Sequence, residues 1–114
     1  MNQHNYKDEK GLSELVFEYE AMSQQGTVGF FEETVFFALI LHYEESEKVE
    51  RALEVADHAI AQHGFCPEFY IKKAQLLLSK GASSQALECL QRAEVYAPAE
   101  LEVQLLRAEA LASL

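Results

Sequence analysis

From residue 30 to residue 112 the apolar side chains recur every three or four positions, not every two. Phe36, Leu39, Ile40 and Tyr43 form one stripe, and Val49, Leu53, Ala56 and Ile60 a second. Ile71, Ala74, Leu77 and Leu78 form a third, and Ala86, Leu90 and Ala93 a fourth. That period is what one face of an α-helix presents to a core. Leu15, Tyr19 and Met22 follow the same spacing nearer the start. The pattern predicts helices near 12–25, 30–45, 47–63, 67–80, 83–97 and 99–112. No segment alternates apolar and polar residues between hairpin signals, so no sheet is predicted and the fold class is all-α.

The breaks in the pattern carry end signals. Pro67 suits a first helical turn, where its missing N–H had no partner in any case. Ser46 and Ser83 stand where an N-cap hydroxyl would accept a free backbone N–H. Gly64 and Gly81 follow apolar stripes and are expected to take the left-handed conformation that closes a helix. Connections this short force neighbouring helices to pack antiparallel.

Composition narrows the function classes. The 114 residues hold 9 Lys+Arg against 19 Asp+Glu, a net charge of −10. A phosphate-binding surface needs clustered bases, so nucleic acid is excluded as a partner, and so is an anionic membrane surface. No apolar run reaches the ~18 residues of a membrane span, and the polar stretch Met1 to Lys10 does not read as a secretory signal. An acidic, soluble, cytoplasmic protein is expected. The charge is uneven: residues 1–66 hold 4 basic and 13 acidic residues, residues 67–114 hold 5 and 6. Cys66 and Cys89 are too few for a disulfide framework and read as reduced thiols.

Sliding the sequence against itself exposes a repeat. Ala52 and Ala86 are 34 residues apart, as are Ala59 and Ala93. Ala52-Leu53-Glu54-Val55 aligns with Ala86-Leu87-Glu88-Cys89, and Lys73-Ala74-Gln75-Leu76-Leu77 with Arg107-Ala108-Glu109-Ala110-Leu111. This spacing resembles the tetratricopeptide repeat, a helix–turn–helix unit. The family's first-helix aromatic falls on Phe36 and Tyr70, its small residue on Ala74 and Ala108, and its later large residue on Tyr43, Leu77 and Leu111. Its second-helix alanines fall on Ala52/Ala59 and Ala86/Ala93, and its closing proline on Pro98. Departures are Ile40 at a small position, Gly64 at the proline, Lys73 and Arg107 where Leu is common, and Gln104 at an aromatic position. The resemblance implies an antiparallel helix–turn–helix repeat stack, a tetratricopeptide-like α-solenoid of about six helices. Residues 1–11 are expected to fray and 12–114 to form one domain. Within it, 12–32 hold an N-terminal helix and turn, 33–66 and 67–100 the two full units, and 101–114 a half repeat or capping helix.

Candidate chemistry is sparse. His58 and His63 are five residues apart, off the spacing that shares a helix face. His42 lies on another helix, and no Cys-x-x-Cys occurs, so no metal site is expected. Cys89 aligns with the apolar Val55 and reads as a packed thiol; Cys66 lies in a turn, open to incidental oxidation. Glu44-Glu45-Ser46-Glu47 lacks the alternating oxygens and central Gly of a calcium loop. Nothing supports an enzyme, and no cofactor is expected.

The resemblance implies that stacked units wind into a superhelix whose concave wall, built from the first helices, binds a peptide or protein segment. By repeat position that wall carries Thr34, Phe37, Ala38 and Leu41; Glu68, Ile71, Lys72, Gln75 and Leu78; and Glu102, Leu105, Leu106 and Glu109. Phe37, Leu41, Glu68, Ile71, Gln75, Leu78, Glu102, Leu105 and Glu109 are taken as the peptide groove, with Phe37 and Ile71 equally placed to be core. Some family members clamp a C-terminal carboxylate with Lys, Asn and Arg on this face. Here Lys72 is the only base and Glu68, Glu102 and Glu109 repel an acidic tail, so a ligand with apolar and basic residues is expected. The alternative is a structural or self-associating segment at the N-terminal end of a longer solenoid. The last helix is apolar beyond what one face needs, so the chain is expected to self-associate through residues 99–114 as a homo-oligomer.

Overall fold

The computed structural model describes residues 9–114, and every regular element among them is helical. The six helices are α1 (Glu9–Gln24), α2 (Glu33–Glu45), α3 (Val49–Gln62), α4 (Pro67–Ser79), α5 (Ser83–Tyr96) and α6 (Leu101–Ala112). Glu9, Lys10 and Gly11 belong to α1, although the sequence reading placed them in a frayed tail. The rest of that tail, residues 1–8, lies outside the described residues. The chain forms two compact units, one ending at His58 and the other spanning Ala59–Leu114.

In the first unit α1 packs on α2. The apolar stripe Phe36, Leu39, Ile40 and Tyr43 is buried, as the 3.6-residue spacing requires. Phe31, just before α2, meets Phe36 edge-on at 5.6 Å between ring centres. Tyr19 of α1 is fully buried, with its ring against His58 at 6.0 Å and Tyr43 at 6.4 Å. From α3, Ala52, Val55 and Ala56 are fully buried.

In the second unit α5 packs on both α4 and α6, and α4 also touches α6. The alanines repeated at 34 are all sealed: Ala52 and Ala59, then Ala86 and Ala93, have no solvent exposure. Small side chains let helix backbones approach, and the neighbouring large ones fill the gap. Tyr70 of α4 stacks on Tyr96 of α5 at 6.1 Å, and its hydroxyl donates to the Gly64 carbonyl at 2.9 Å. Cys89 of α5 is buried as well, as its alignment with Val55 leads one to expect.

The ends of α1, α2 and α4 share one closure. In α4, Gly81 takes φ +82°, its N–H reaches the Leu78 carbonyl at 3.0 Å, and the Ala82 N–H reaches Leu77 at 2.9 Å. Gly26 closes α1 the same way. In α2 the left-handed position falls on Glu47, at φ 59°.

Three end signals behave differently from the expectation. Ser46 does not cap α3; its hydroxyl donates back to the His42 carbonyl at 2.9 Å, on α2. The reason is the left-handed Glu47, which consumes one more residue and leaves the Lys48 carbonyl to accept the first α3 bond, from Ala52, at 3.0 Å. Ser83 is likewise not the cap of α5. Closing α4 through Gly81 places Ala82 at that position, and Ser83 is buried in the first turn. Gly64 is not left-handed. It is small because a Cβ there would lie 3.3 Å from the Ile60 carbonyl oxygen.

Among the described residues no helix is long and apolar enough to cross a membrane.

Candidate functional site: a groove beside α2

α2 is apolar on two sides. Phe36, Leu39, Ile40 and Tyr43 face the core. On the opposite side, Thr34, Phe37, Ala38, Leu41 and Glu45 recur at the helical spacing of one face. That second face borders a groove of about 400 Å³. Leu12 of α1 forms part of its wall, and Thr34, His42 and Glu45 supply the polar edge. Phe37 and Ala38 are half-buried, while Leu41 is 50% exposed. Amphipathic helices carry water-facing polar residues on the side away from the core; an apolar strip there is the mark of a face meant to be covered. A concave apolar surface with a few polar groups at its edge is the ordinary form of a ligand site.

The opposite side of α2 is tied down. There the Tyr43 hydroxyl donates to Glu20 Oε2 at 2.5 Å, linking α2 to α1. Burial, reinforced by that bond, drives the Tyr43 phenol well above its usual range. Tyr19 is pushed up to about 12, first by burial and then by the nearby Glu54 carboxylate. Both phenols are therefore neutral at ordinary pH.

Of the nine residues taken from repeat position, Phe37 and Leu41 come together in this groove. Thr34 and Ala38, placed on the same wall, join them. The other seven are in the second unit. Ile71 is buried at 6% exposure and belongs to that unit's interior, the second of the two roles open to it. Gln75 Nε2 donates to Glu102 Oε2 at 2.6 Å, so these two meet across α4 and α6. Glu68 accepts from the Cys66 thiol at 3.2 Å. Leu78 is half-buried, and Leu105 and Glu109 are exposed. Three groove residues escaped the sequence reading. Glu45 was legible, since it lies eleven positions after Thr34 on the same face. His42 borders that face, and Leu12 comes from α1, whose repeat positions are too degenerate to align.

Among the described residues no three His, Cys, Asp or Glu side chains converge as a metal site would require.

No protein-family model matches the chain, and no curated protein matches it. A solved structure does: the crystal structure of PcrH in complex with the chaperone binding region of PopB. The two align with a TM-score of 0.58 over 94% of this chain and 97% of that one, at 20% sequence identity. The fold is an all-α helical repeat. That likeness reaches across nearly the whole of both chains.

Proposed function

We propose that this chain is a non-catalytic, cytoplasmic interaction module of tetratricopeptide-like build, which holds a peptide or protein segment against its first helices. The observation that carries this reading is the second apolar face of α2, with Phe37, Ala38 and Leu41 opening into a groove. PcrH, which shares the fold, is crystallised with the chaperone binding region of another protein, PopB, and that supports a segment of a partner as the ligand. The ligand's chemistry follows from the groove. An apolar anchor fills the space between Leu12, Phe37 and Leu41, and a Lys or Arg beside it meets Glu45.

A peptide array probed with the purified chain tests this. Peptides with an aromatic or leucine anchor flanked by Lys or Arg are expected to bind, and their Asp- or Glu-flanked counterparts to fail. Preference for acidic peptides, or no dependence on the anchor, would overturn the reading.

A further inference from the structure

Six residues of α2 line its groove, and their positions form two overlapping sets. Thr34, Phe37, Ala38 and Leu41 stand at i, i+3, i+4 and i+7. Ala38, Leu41, His42 and Glu45 repeat that figure four residues on. Each set is the diamond of four side chains on one helix that receives a single side chain of a facing helix. Ala38 belongs to both, so a second backbone can come close where the diamonds meet. Hydrogen bonding points the same way. Both walls are helices, whose N–H and C=O groups bond along their own axes. At the end of α2 the carbonyls of His42, Tyr43 and Glu44 accept the N–H groups of Ser46, Lys48 and Glu47 at 3.1, 2.8 and 3.0 Å. From Thr34 to Glu45 the groove runs about 16 Å, at 1.5 Å per residue. An extended segment laid there brings about five residues, each with an N–H and a C=O to satisfy. Thr34, His42 and Glu45 are the polar side chains that meet them, and groups left unpaired in a desolvated groove count against the complex. A helix arrives with its backbone bonds already made.

Taking this groove as the ligand site, as above, we propose that its occupant is one amphipathic helix of another protein, with an apolar side chain in the first diamond and a Lys or Arg, three or four residues away, in the second. The first diamond is apolar at Phe37, Ala38 and Leu41. The second is divided: Ala38 and Leu41 take an aliphatic stem, and the exposed Glu45 takes the charge at its end. A second copy of this chain, docked α2 against α2, fits less well. Its α2 has no Lys or Arg to offer the second diamond, and it brings a net charge of −10 against its like.

The probes are labelled Ala-based peptides of about sixteen residues, locked as helices by a lactam on the outer side, since so short a helix is marginal alone. They carry Leu and Lys four residues apart, in one order or the other to suit either direction of docking. The control is an extended, proline-containing peptide with Leu and Lys two residues apart, which sets the same side chains at a similar distance. Each is titrated with the full chain and followed by fluorescence anisotropy. One helical peptide is expected to bind at least about tenfold tighter than the extended one. Ala38→Leu fills both diamonds and is expected to weaken it about tenfold or more, with an unchanged thermal melt showing that the fold is intact. Glu45 is exposed, so Glu45→Lys spares the core; it is expected to weaken the Lys peptide and to strengthen its counterpart with Glu in place of Lys. Equal or tighter binding of the extended peptide, lost on Leu41→Lys, overturns the helical occupant and leaves the groove standing as the ligand site. Binding of neither form overturns the helical occupant, and a blank peptide array as well removes the groove with it. Helix binding indifferent to both Ala38→Leu and Glu45→Lys overturns it too. So does a wild-type dimer that Leu41→Lys dissolves, which gives the groove to a second copy.

Discussion

Glu47 shows how much one backbone angle can matter. It closes α2 at φ 59°, where an L-residue crowds its own Cβ, while the same closure in α1 and α4 is made by glycine. Glu47→Gly is expected to raise unfolding free energy by about 0.5–1 kcal/mol, relief of that crowding outweighing the extra chain entropy. Glu47→Val is expected to lower it, and urea midpoints of the two variants check both signs. Tyr19 offers a test in pH. Its phenol is fully buried, and its hydroxyl has no hydrogen-bond partner among the described residues. The folded phenol titrates near 12 against an ordinary 10.0. Its contribution is thus present in full below about pH 10 and is lost as pH rises toward 12, because the unfolded chain ionises first. The urea midpoint should fall between pH 8 and pH 11, and fall less in Tyr19→Phe, which has no proton to release. An equal fall in both proteins would remove Tyr19 from the account.

Helices carry the fold's logic in their smallest residues. Ala52, Ala59, Ala86 and Ala93 recur at a spacing of 34, and all are without solvent exposure. Ala86→Leu is expected to overpack the α4–α5 contact and cost about 1–3 kcal/mol; an unchanged denaturation midpoint would undo the packing argument. The positions of all six helices were legible because a buried stripe leaves a 3.6-residue signature that loops cannot imitate. Their ends were less so. Ser46 and Ser83 have the chemistry of an N-cap, but the cap position is set by where the previous helix closes, and that depended on the left-handed Glu47 and Gly81. Gly64 misled for a related reason: glycine answers to a close carbonyl as readily as to a positive φ, and sequence does not distinguish the two. The groove was legible where repeat position is strong, at Thr34, Phe37, Ala38 and Leu41. It was not at Leu12, because no repeat unit extends over α1 to register it. Ile71 holds a groove position in the repeat, yet its side chain is buried, a matter of local packing that periodicity alone leaves open.

For the molecule as a whole, the balance of charge bears on the proposed ligand. The net charge is −10, with 13 acids against 4 bases in the first 66 residues, and Glu45 lines the α2 groove itself. Binding of a basic segment should therefore weaken as salt rises, through screening at distances beyond the contact itself. The apolar anchor contributes the part that salt does not remove. The central claim is that the outward face of α2 holds the ligand. Its most direct test is the affinity of one array-selected basic peptide, read by fluorescence anisotropy, for the wild-type chain and for Leu41→Lys. Leu41 is half-exposed, so the substitution changes the groove and not the core. The account predicts an affinity about tenfold or more lower with an unchanged thermal melt; equal affinity of the two proteins would contradict it.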